Sequence, residues 1–333
     1  MALSEFPEVS SDPSHGREPA ESSVEAPSRF DLRPRIFQGA GAGNQRWWLH
    51  LLLLAITLLS TTAVGARMEF NFEHALPAFG DQDFEAFWAW WSDPSVLVQG
   101  LPFSLTLLAI LLAHECGHYV ACLYYGIEAS LPYFLPAPTF TGTLGAFIRI
   151  RSPIFSRRQL FDIGVAGPVA GFLFLLPAAG VGLAFSKVIP GIAAMGSLHF
   201  GTPLVLRWLE MAIFPGSGTA DIYLHPIARA AWIGMFATAL NLLPAGQLDG
   251  GHLIYALFGR SHKWVTRAVV GALVPIGLLF WKGWLLWAIV LFLFARWHPP
   301  IYDETGLGGA RWRLGTLALA LFVLCFTLAP VSQ

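Results

Sequence analysis

The segment His114-Glu115-Cys116-Gly117-His118 places two imidazoles four residues apart, with a carboxylate beside the first. On a helix, positions four apart point to nearly the same side, so both imidazoles can reach one metal ion. Glu115 is then placed to act as a general base on a water molecule at that metal. Imidazole and carboxylate ligands with one open position suit zinc, which lowers the pKa of bound water towards neutrality. The pattern predicts one zinc ion per chain and hydrolytic chemistry.

The motif is expected to lie deep in an apolar helix. The run Leu105–Ala113 leads directly into His114 and Glu115. Ionisable groups at such depth in a membrane cost a few kcal/mol each and mark a functional site by default. The alternative is that polar partners in a helical bundle satisfy these side chains, and the apolar surroundings make that alternative unfavourable.

A catalytic zinc site needs a third protein ligand, and Asp249 is the best-placed candidate. It lies where the apolar helix that begins near Pro226 breaks, and broken helices at membrane depth are tolerated where they line a cavity. The remaining carboxylates that we weighed lie in connecting or interfacial segments, or at the start of the next apolar helix, where a structural role is expected: Glu128, Glu210, Glu304 and Asp162.

Two further polar residues of the broken segment are candidates for the site. His252 follows Asp249 by three residues and is expected to support the ligands from the second shell, to replace Asp249 as a ligand, or only to pack. Asn241 carries an amide that a substrate backbone or a developing oxyanion could satisfy. The alternative for Asn241 is a cap on the disrupted helix.

Composition excludes an ordinary soluble enzyme. Hydrophobic residues make up 55% of the 333 residues, charged residues only 12%, and the mean hydropathy is +0.57. A soluble domain carries about 25% charged residues. The net charge of -1 implies no nucleic-acid partner. The three cysteines fall inside apolar blocks and indicate no disulfide framework.

The apolar residues form blocks of about the length that crosses a hydrocarbon core. We expect an all-α integral membrane protein, a polytopic bundle of about six to seven transmembrane helices. The seven candidate spans are 47–66, 101–125, 160–185, 226–243 (resuming at 253–258), two within 264–297 that divide near Trp281, and 314–329. Ser156 with Gln159 three residues later predicts a capping box at the start of the third span.

The basic residues predict the orientation. With the N-terminus inside, fifteen of the 20 Lys and Arg residues fall in inner segments and five in outer ones. This arrangement puts the zinc site towards the cytoplasmic side. Residues 1–46 are predicted to be a disordered cytoplasmic tail, and 47–333 a membrane-embedded domain with its core at 98–260. The aromatic cluster at 84–91 is predicted to form a helix at the membrane surface.

Three motifs together resemble the site-2 protease family of intramembrane metalloproteases. They are the motif at 114–118, Ala166-Gly-Pro-Val-Ala-Gly171 at the opening of the next span, and Asn241-Leu-Leu-Pro244 leading into Leu248-Asp-Gly250. The resemblance implies zinc bound by His114, His118 and Asp249, with Glu115 activating water and Asn241 beside the active site.

One departure from the common family pattern indicates a branch. Gly246-Gln247 stands where many members have a second proline. In this feature the chain is similar to the branch of plant chloroplast homologues and bacterial relatives. The longest outer loops, about 30 and 38 residues, are too short for the PDZ domain of roughly 90 residues that many bacterial members carry. The acidic residues of the tail argue against a transit peptide, so the expected location is a bacterial inner membrane.

The stretch Thr141–Arg151 has β-branched and aromatic residues between turn residues and predicts a strand or hairpin. In the family this region resembles a small re-entrant β element that pairs with an extended substrate, and a free strand edge can replace the hydrogen bonds that an unwound helix loses. Gly142 and Gly145 would permit close approach of the substrate backbone. The alternative is an ordinary interfacial loop.

The sequence therefore predicts a zinc metalloendopeptidase that hydrolyses peptide bonds of membrane-embedded, single-pass substrates. The role would be regulated intramembrane proteolysis or clearance of remnant peptides. A metalloprotease with a distal glutamate ligand would need that residue in a later span, and none is present. The other alternative is a transporter or a catalytically silent zinc-binding protein. A transporter should show two related halves with paired broken helices, and a silent protein should lack Glu115 or a ligand.

Overall fold

The computed structural model describes residues 46–77, 95–195, 199–218, 221–294, 301 and 306–332. The predicted tail, apart from its last residue, and the aromatic cluster at 84–91 lie outside these described residues.

Helices dominate the described part of the chain. In chain order they are α1 Trp47–Glu73, α2 Ser95–Val98, α3 Leu101–Tyr124, α4 Arg157–Ala184, α5 Ile192–Met195, α6 Leu204–Ile213, α7 Pro226–Asn241, α8 Asp249–Phe258, α9 His262–Leu279, α10 Gly283–Phe294 and α11 Gly309–Cys325. A 3₁₀ turn at Gly259–Ser261 joins α8 to α9.

The strands are short and form three two-stranded antiparallel sheets. They are β1 Tyr133–Pro136, β2 Thr143–Phe147, β3 Lys187–Val188, β4 His199–Phe200, β5 Ile222–Tyr223 and β6 Val331–Ser332. β1 pairs with β2, β3 with β5, and β4 with β6. The strand predicted within Thr141–Arg151 is therefore present as β2, the second strand of a hairpin that begins at Tyr133.

Three of the described helices are long and apolar enough to cross a membrane: α1, α3 and α4. Large apolar side chains on α1 face outwards, including Trp47, Leu51 and Leu59. Such a continuous apolar surface is typical of helices in contact with lipid. The later predicted spans coincide with α7, α9, α10 and α11, which do not meet the same criteria of length and composition, so the count of six to seven spans is not reproduced.

Local sequence signals determine where α4 begins and where α7 ends. Ser156 is the N-cap of α4, its side chain accepts from the Gln159 N–H, and the Gln159 side chain accepts from the Ser156 N–H, which confirms the predicted capping box. The predicted break after Asn241 is also confirmed, because α7 ends there and α8 begins only at Asp249.

The centre of the bundle is formed by α3, α4 and α7. Ile110 of α3, Leu175 of α4 and Met235 of α7 belong to one buried apolar cluster. Because lipid tails are as apolar as these side chains, close van der Waals packing rather than removal from water stabilises the cluster. These three helices also carry or flank the residues that were predicted to do chemistry.

The β1–β2 hairpin lies along α1 and is held there by polar contacts. The Ser60 hydroxyl donates to the carbonyl of Gly142 at 2.7 Å, and Nδ1 of His50 lies 3.1 Å from the carbonyl of Pro132. Thr61 on α1 and Ser104 on α3 share a buried hydrogen bond of 2.5 Å. Because unpaired polar groups are costly in an apolar environment, the Ser60 and His50 contacts hold the hairpin on α1, and the Thr61–Ser104 contact holds α1 on α3.

Candidate metal centre and active site

Three side chains converge on one point between α3 and the start of α8. Nε2 of His118 lies 3.1 Å from Nε2 of His114 and 3.3 Å from Oδ1 of Asp249, and Nε2 of His114 lies 3.1 Å from Oδ2 of Asp249. Both histidines are buried and the Asp249 side chain is largely buried. The helical spacing on α3 brings the imidazoles together, and the break between α7 and α8 brings the carboxylate.

The separations between these atoms fit a zinc ion. Zinc bonds of about 2.0–2.1 Å at tetrahedral angles place neighbouring ligand atoms about 3.3 Å apart. The three observed separations, 3.1 to 3.3 Å, are close to this value, with His114 next to Oδ2 and His118 next to Oδ1, so both oxygens of Asp249 lie beside the imidazoles. Three protein ligands leave the fourth position open, which is the arrangement of catalytic zinc sites. His114, His118 and Asp249 form the one group among the described residues that could hold a metal ion in this way.

Two glycines of α4 make room for the imidazoles. A side chain at Gly167 would overlap the ring of His118, and one at Gly171 would press on His114 at 3.2–3.3 Å. Both glycines belong to the motif at 166–171. The motif therefore lets α4 pack closely against the ligand-bearing face of α3.

The orientation of one imidazole is set by the backbone of α4. Nδ1 of His118 donates to the carbonyl of Ile163 at 2.8 Å, and this contact is buried. A proton on Nδ1 leaves the lone pair of Nε2 directed at the other two ligand atoms. Hydrogen bonds of this kind commonly hold metal-binding histidines in place.

Glu115 lies beside the ligands without being one of them. It is buried on α3, its charge acts on His118 and Asp249, and the backbone N–H of Ile148 interacts with its carboxylate. A carboxylate next to three ligands and outside their triangle suits proton transfer rather than metal binding.

One edge of β2 faces this site. On the β1 side, Arg149 and Ser130 are joined by two hydrogen bonds of 2.9 Å. Successive residues of extended backbone alternate in direction, so the N–H of Ile148, the preceding residue, is directed away from Ser130 and towards the cavity that Ile148 lines with Glu115. Successive residues of a strand alternate in direction, so the N–H and C=O of Ala146 share the direction of Ile148. No described strand pairs with this edge, so it is available to another extended backbone.

The broken segment folds tightly onto the start of α8. The Ala245 N–H donates to the carbonyl of Leu243 at 2.7 Å, and a side chain at Gly250 would overlap the carbonyls of Leu242 and Leu243. Asp249 is held at the first residue of α8 by this fold. Asn241, the last residue of α7, has its Nδ2 3.3 Å from Nε2 of His114.

A cavity of about 220 Å³ opens onto these residues. It is lined by His114, Glu115, His118, Ala146, Phe147, Ile148, Ile150, Ile163, Gly164, Asn241, Gln247, Leu248, Asp249 and His252. Six sequence-predicted site residues thus share one cavity, namely His114, Glu115, His118, Asn241, Asp249 and His252. Gly142 and Gly145 are not among its lining residues, and Gly142 instead contacts α1 through Ser60.

Some lining residues were not predicted from the sequence. Ile148 and Ile163 act through backbone groups, which no side-chain motif marks. Gln247 could have been found, because it is a polar residue two positions before Asp249 in the segment that was already identified as lining a cavity.

Comparison with known proteins identifies the family. Residues 102–282 match peptidase family M50. The chain belongs to this family. The match contains the three metal-binding candidates and Glu115, and membership of family M50 agrees with the predicted resemblance to site-2 proteases.

Several curated relatives are similar to the M50 chain. It is 31% identical over 238 residues to the probable zinc metalloprotease EGY1, chloroplastic, of Oryza sativa subsp. japonica, which covers 69% of this chain and 41% of the relative. It is 31% identical over 240 residues to EGY1 of Arabidopsis thaliana, which covers 69% and 43%. For EGY2 of Arabidopsis thaliana the identity is 30% over 243 residues, with 69% and 42% covered.

The chain thus spans less than half the length of these relatives. No solved structure matches it.

Proposed function

We propose that this chain is an intramembrane zinc endopeptidase that hydrolyses a peptide bond of a membrane-embedded substrate helix. The observation that carries the proposal is the triangle of His114, His118 and Asp249 with Glu115 beside it. The triangle lies against α3 and α4, two helices long and apolar enough to cross a membrane. Membership of a peptidase family supports peptide hydrolysis over transport or silent zinc binding.

In this proposal each polar residue of the cavity has a separate task. His114, His118 and Asp249 would hold the zinc ion, which would supply Lewis acidity in the cavity. Glu115 takes a proton from the attacking water and passes it to the leaving amine. Asn241 is placed near His114 to donate to the carbonyl oxygen as it gains charge. His252 supports the ligands from the adjacent turn of α8.

The substrate must be extended before it can be cut, because a helix hides its peptide bonds within its own hydrogen bonds. We propose that the edge formed by Ala146 of β2 and by Ile148, which directly follows β2, pairs with the unwound segment. An apolar, single-pass substrate helix would enter from the lipid. In this arrangement Gly142 and Gly145 shape the hairpin that presents the edge.

The proposed membrane arrangement extends beyond the three long helices. α7, α9, α10 and α11 would complete six to seven spans, packed against α3 and α4 within the domain 47–333, whose core is 98–260. The excess of basic residues in the inner segments supports an inside N-terminus and a cavity that opens towards the inner side. We propose a bacterial inner membrane as the location, although the similar relatives are chloroplastic by name.

Cleavage by the purified protein tests the proposal. We expect full-length protein in lipid vesicles to cut some members of a panel of single-pass helices, to stop when a chelator removes the metal, and to resume when zinc is restored. Glu115→Gln keeps size and hydrogen-bonding capacity but has no carboxylate to carry a proton. It should retain zinc and lose at least about 10²–10⁴-fold in rate.

Metal analysis of the same preparations supplies the control. A Glu115→Gln protein that holds zinc and still cleaves at the wild-type rate would refute the proposed role of Glu115. A zinc-loaded wild-type protein that cuts no member of a broad panel would favour the silent zinc-binding alternative.

A further inference from the structure

The C-terminal end of α3 and the N-terminal parts of α4 and α11 are joined by one polar cluster outside the cavity that holds the metal-binding candidates. The guanidinium of Arg311 donates to both carboxylate oxygens of Asp162, from Nε at 2.8 Å and from Nη2 at 2.6 Å. The hydroxyl of Tyr125 donates to the same carboxylate, and Nη2 of Arg311 lies 3.4 Å from that hydroxyl. All three side chains are only partly exposed. Two parallel hydrogen bonds between a guanidinium and a carboxylate fix the geometry of both groups.

This cluster is one residue away from the backbone group that orients a metal-binding candidate. Asp162 precedes Ile163, whose carbonyl accepts from Nδ1 of His118 at 2.8 Å. Tyr125 follows His118 by seven residues and directly succeeds the last residue of α3. Two polar contacts therefore join α3 and its end to adjacent residues of α4: His118 with the carbonyl of Ile163, and Tyr125 with the carboxylate of Asp162. Arg311 of α11 binds the carboxylate in the second contact.

We infer that Arg311 is a positioning residue for the metal site, acting through Asp162 and the carbonyl of Ile163 on the imidazole of His118. The inference rests on the proposed metal site. Arg311 lies beyond residue 282, where the match to the family ends, so α11 contributes to the site from outside the matched segment.

A metal ligand must be held to within about 0.5 Å of its binding position, and the groups that hydrogen-bond to the ligand provide that precision. The carbonyl of Ile163 can move only with the backbone of α4 near Asp162. Without the cation of Arg311, the carboxylate of Asp162 keeps the Tyr125 hydroxyl but loses its two charged hydrogen bonds, so it would reorient towards water and the attached turn would shift.

Zinc affinity of the full-length protein in detergent micelles tests the inference. Loss of hydrogen-bond partners behind a metal ligand commonly weakens metal binding 10–100-fold, so Arg311→Gln should weaken zinc binding by about tenfold in competition with a chelator. The protein loaded with Co²⁺ should show d–d absorption bands altered in position or intensity, because His118 changes its geometry. Arg311→Lys keeps the charge but not the paired hydrogen bonds, and should fall between Arg311→Gln and wild type.

Arg313→Gln is the matched control, because it removes the same charge from an exposed position two residues further along α11. It should leave zinc affinity and the Co²⁺ spectrum unchanged. Wild-type zinc affinity and an unaltered Co²⁺ spectrum in Arg311→Gln would overturn the inference, whatever its thermal stability. If Arg311→Gln fails to fold, the same result in Arg311→Lys would overturn it. Zinc binding by the wild-type protein tests the proposed metal site separately, and if it is absent both proposals fail.

Discussion

Two carboxylates of this chain are buried in opposite surroundings. Asp249 lies between two imidazoles, with ligand atoms 3.1 and 3.3 Å away. Glu210 of α6 is only 3% exposed, and its Oε2 has no hydrogen-bond partner among the described residues. A buried carboxylate is costly unless it is paired or binds a metal. The two imidazoles beside Asp249 therefore indicate a role in binding metal. Glu210 has no such partner among the described residues, so burial determines the protonation of its carboxyl group.

Removal of the Asp249 carboxylate should abolish tight zinc binding. Asp249→Ala leaves two imidazoles, and two ligands do not hold catalytic zinc firmly. We expect purified wild-type protein to carry about one zinc per chain and Asp249→Ala to lose most of it, as measured by elemental analysis. Glu128→Ala, which removes an exposed carboxylate outside the site, should keep its zinc. Full zinc content in Asp249→Ala would move the third ligand elsewhere, with His252 next in line.

Glu210 should make the protein less stable as pH rises. Burial raises the pKa of the Glu210 carboxyl from its ordinary value of 4.5 to about 7. Between these values the folded protein holds a proton that the unfolded chain has released, so the free energy of unfolding falls as pH increases from about 4.5 and levels off above about 7. Glu210→Gln keeps the side chain neutral and should remove this part of the pH dependence.

The midpoint of thermal unfolding in detergent measures the effect. The difference between wild type and Glu210→Gln should change by a few degrees between pH 5 and pH 8, with wild type losing stability at the higher pH. Glu128→Gln, at an exposed position, should follow wild type. Parallel curves for wild type and Glu210→Gln would show that the carboxyl is not titrating in its buried position.

At the scale of elements, the site depends on contacts of two kinds, and only one kind has a local signal. The spacing of His114 and His118, the capping box at Ser156 and the break before Asp249 are each readable within a few residues, and the structure contains all three elements. Helical periodicity and capping depend on residues only three or four positions apart, so both can be predicted from a short stretch of sequence.

The other contacts join distant parts of the chain. Arg311 and Asp162 are 149 residues apart, and the sequence alone suggested only a structural role for Asp162 at the start of α4. Asp162 lies beyond the first turn of α4, and its partners come from α11 and the end of α3. The register of β1 on β2 was also not predictable, because it depends on how the hairpin packs against α1.

The free edge of β2 gives the prediction at this scale. Ala146→Pro removes a backbone donor from the edge that faces the cavity, while the hydrogen bonds towards β1 come from alternate residues. Proteolysis should fall by about tenfold or more, since each lost backbone hydrogen bond to substrate contributes roughly 0.5–1.5 kcal/mol and the neighbouring pairs weaken with it. Zinc content should stay normal, because the three ligands lie on other elements.

Ala146→Val is the matched control, because it enlarges the side chain and keeps the N–H. Cleavage assays and elemental analysis on the same preparations separate the two effects. Unchanged turnover in Ala146→Pro would show that the hairpin only connects α3 to α4 and does not pair with substrate. Loss of zinc together with activity would indicate damage to the metal site rather than to substrate pairing.

At the scale of the whole molecule, apolar side chains cover the outside and polar groups are concentrated inside. Exposed Leu51 and Leu59 lie on α1, whereas Thr57 and Thr61 on the same helix are fully buried. This reverses the pattern of a soluble helix and agrees with a protein solvated by lipid. Composition predicted helices that can cross a membrane, and the described part of the chain contains three helices long and apolar enough to do so. It did not predict which helices are long enough to span, because helix ends depend on breaks and caps that average composition does not register.

The distribution of Lys and Arg residues predicts the orientation of the protein in the membrane. Ala212 is an exposed residue of α6, in the connection between α4 and α7, and Ser261 is exposed between α8 and α9. With fifteen basic residues inside and five outside, Ala212 should face outwards and Ser261 inwards. In intact cells an impermeant thiol reagent should therefore label Ala212→Cys, and it should label Ser261→Cys only after the membrane is opened. The unaltered chain supplies the background, since Cys122 and Cys325 are buried and Cys116 lies on α3, which is long and apolar enough to cross a membrane. If Ser261→Cys alone is labelled in intact cells, the protein has the opposite orientation and the cavity opens towards the other face of the membrane.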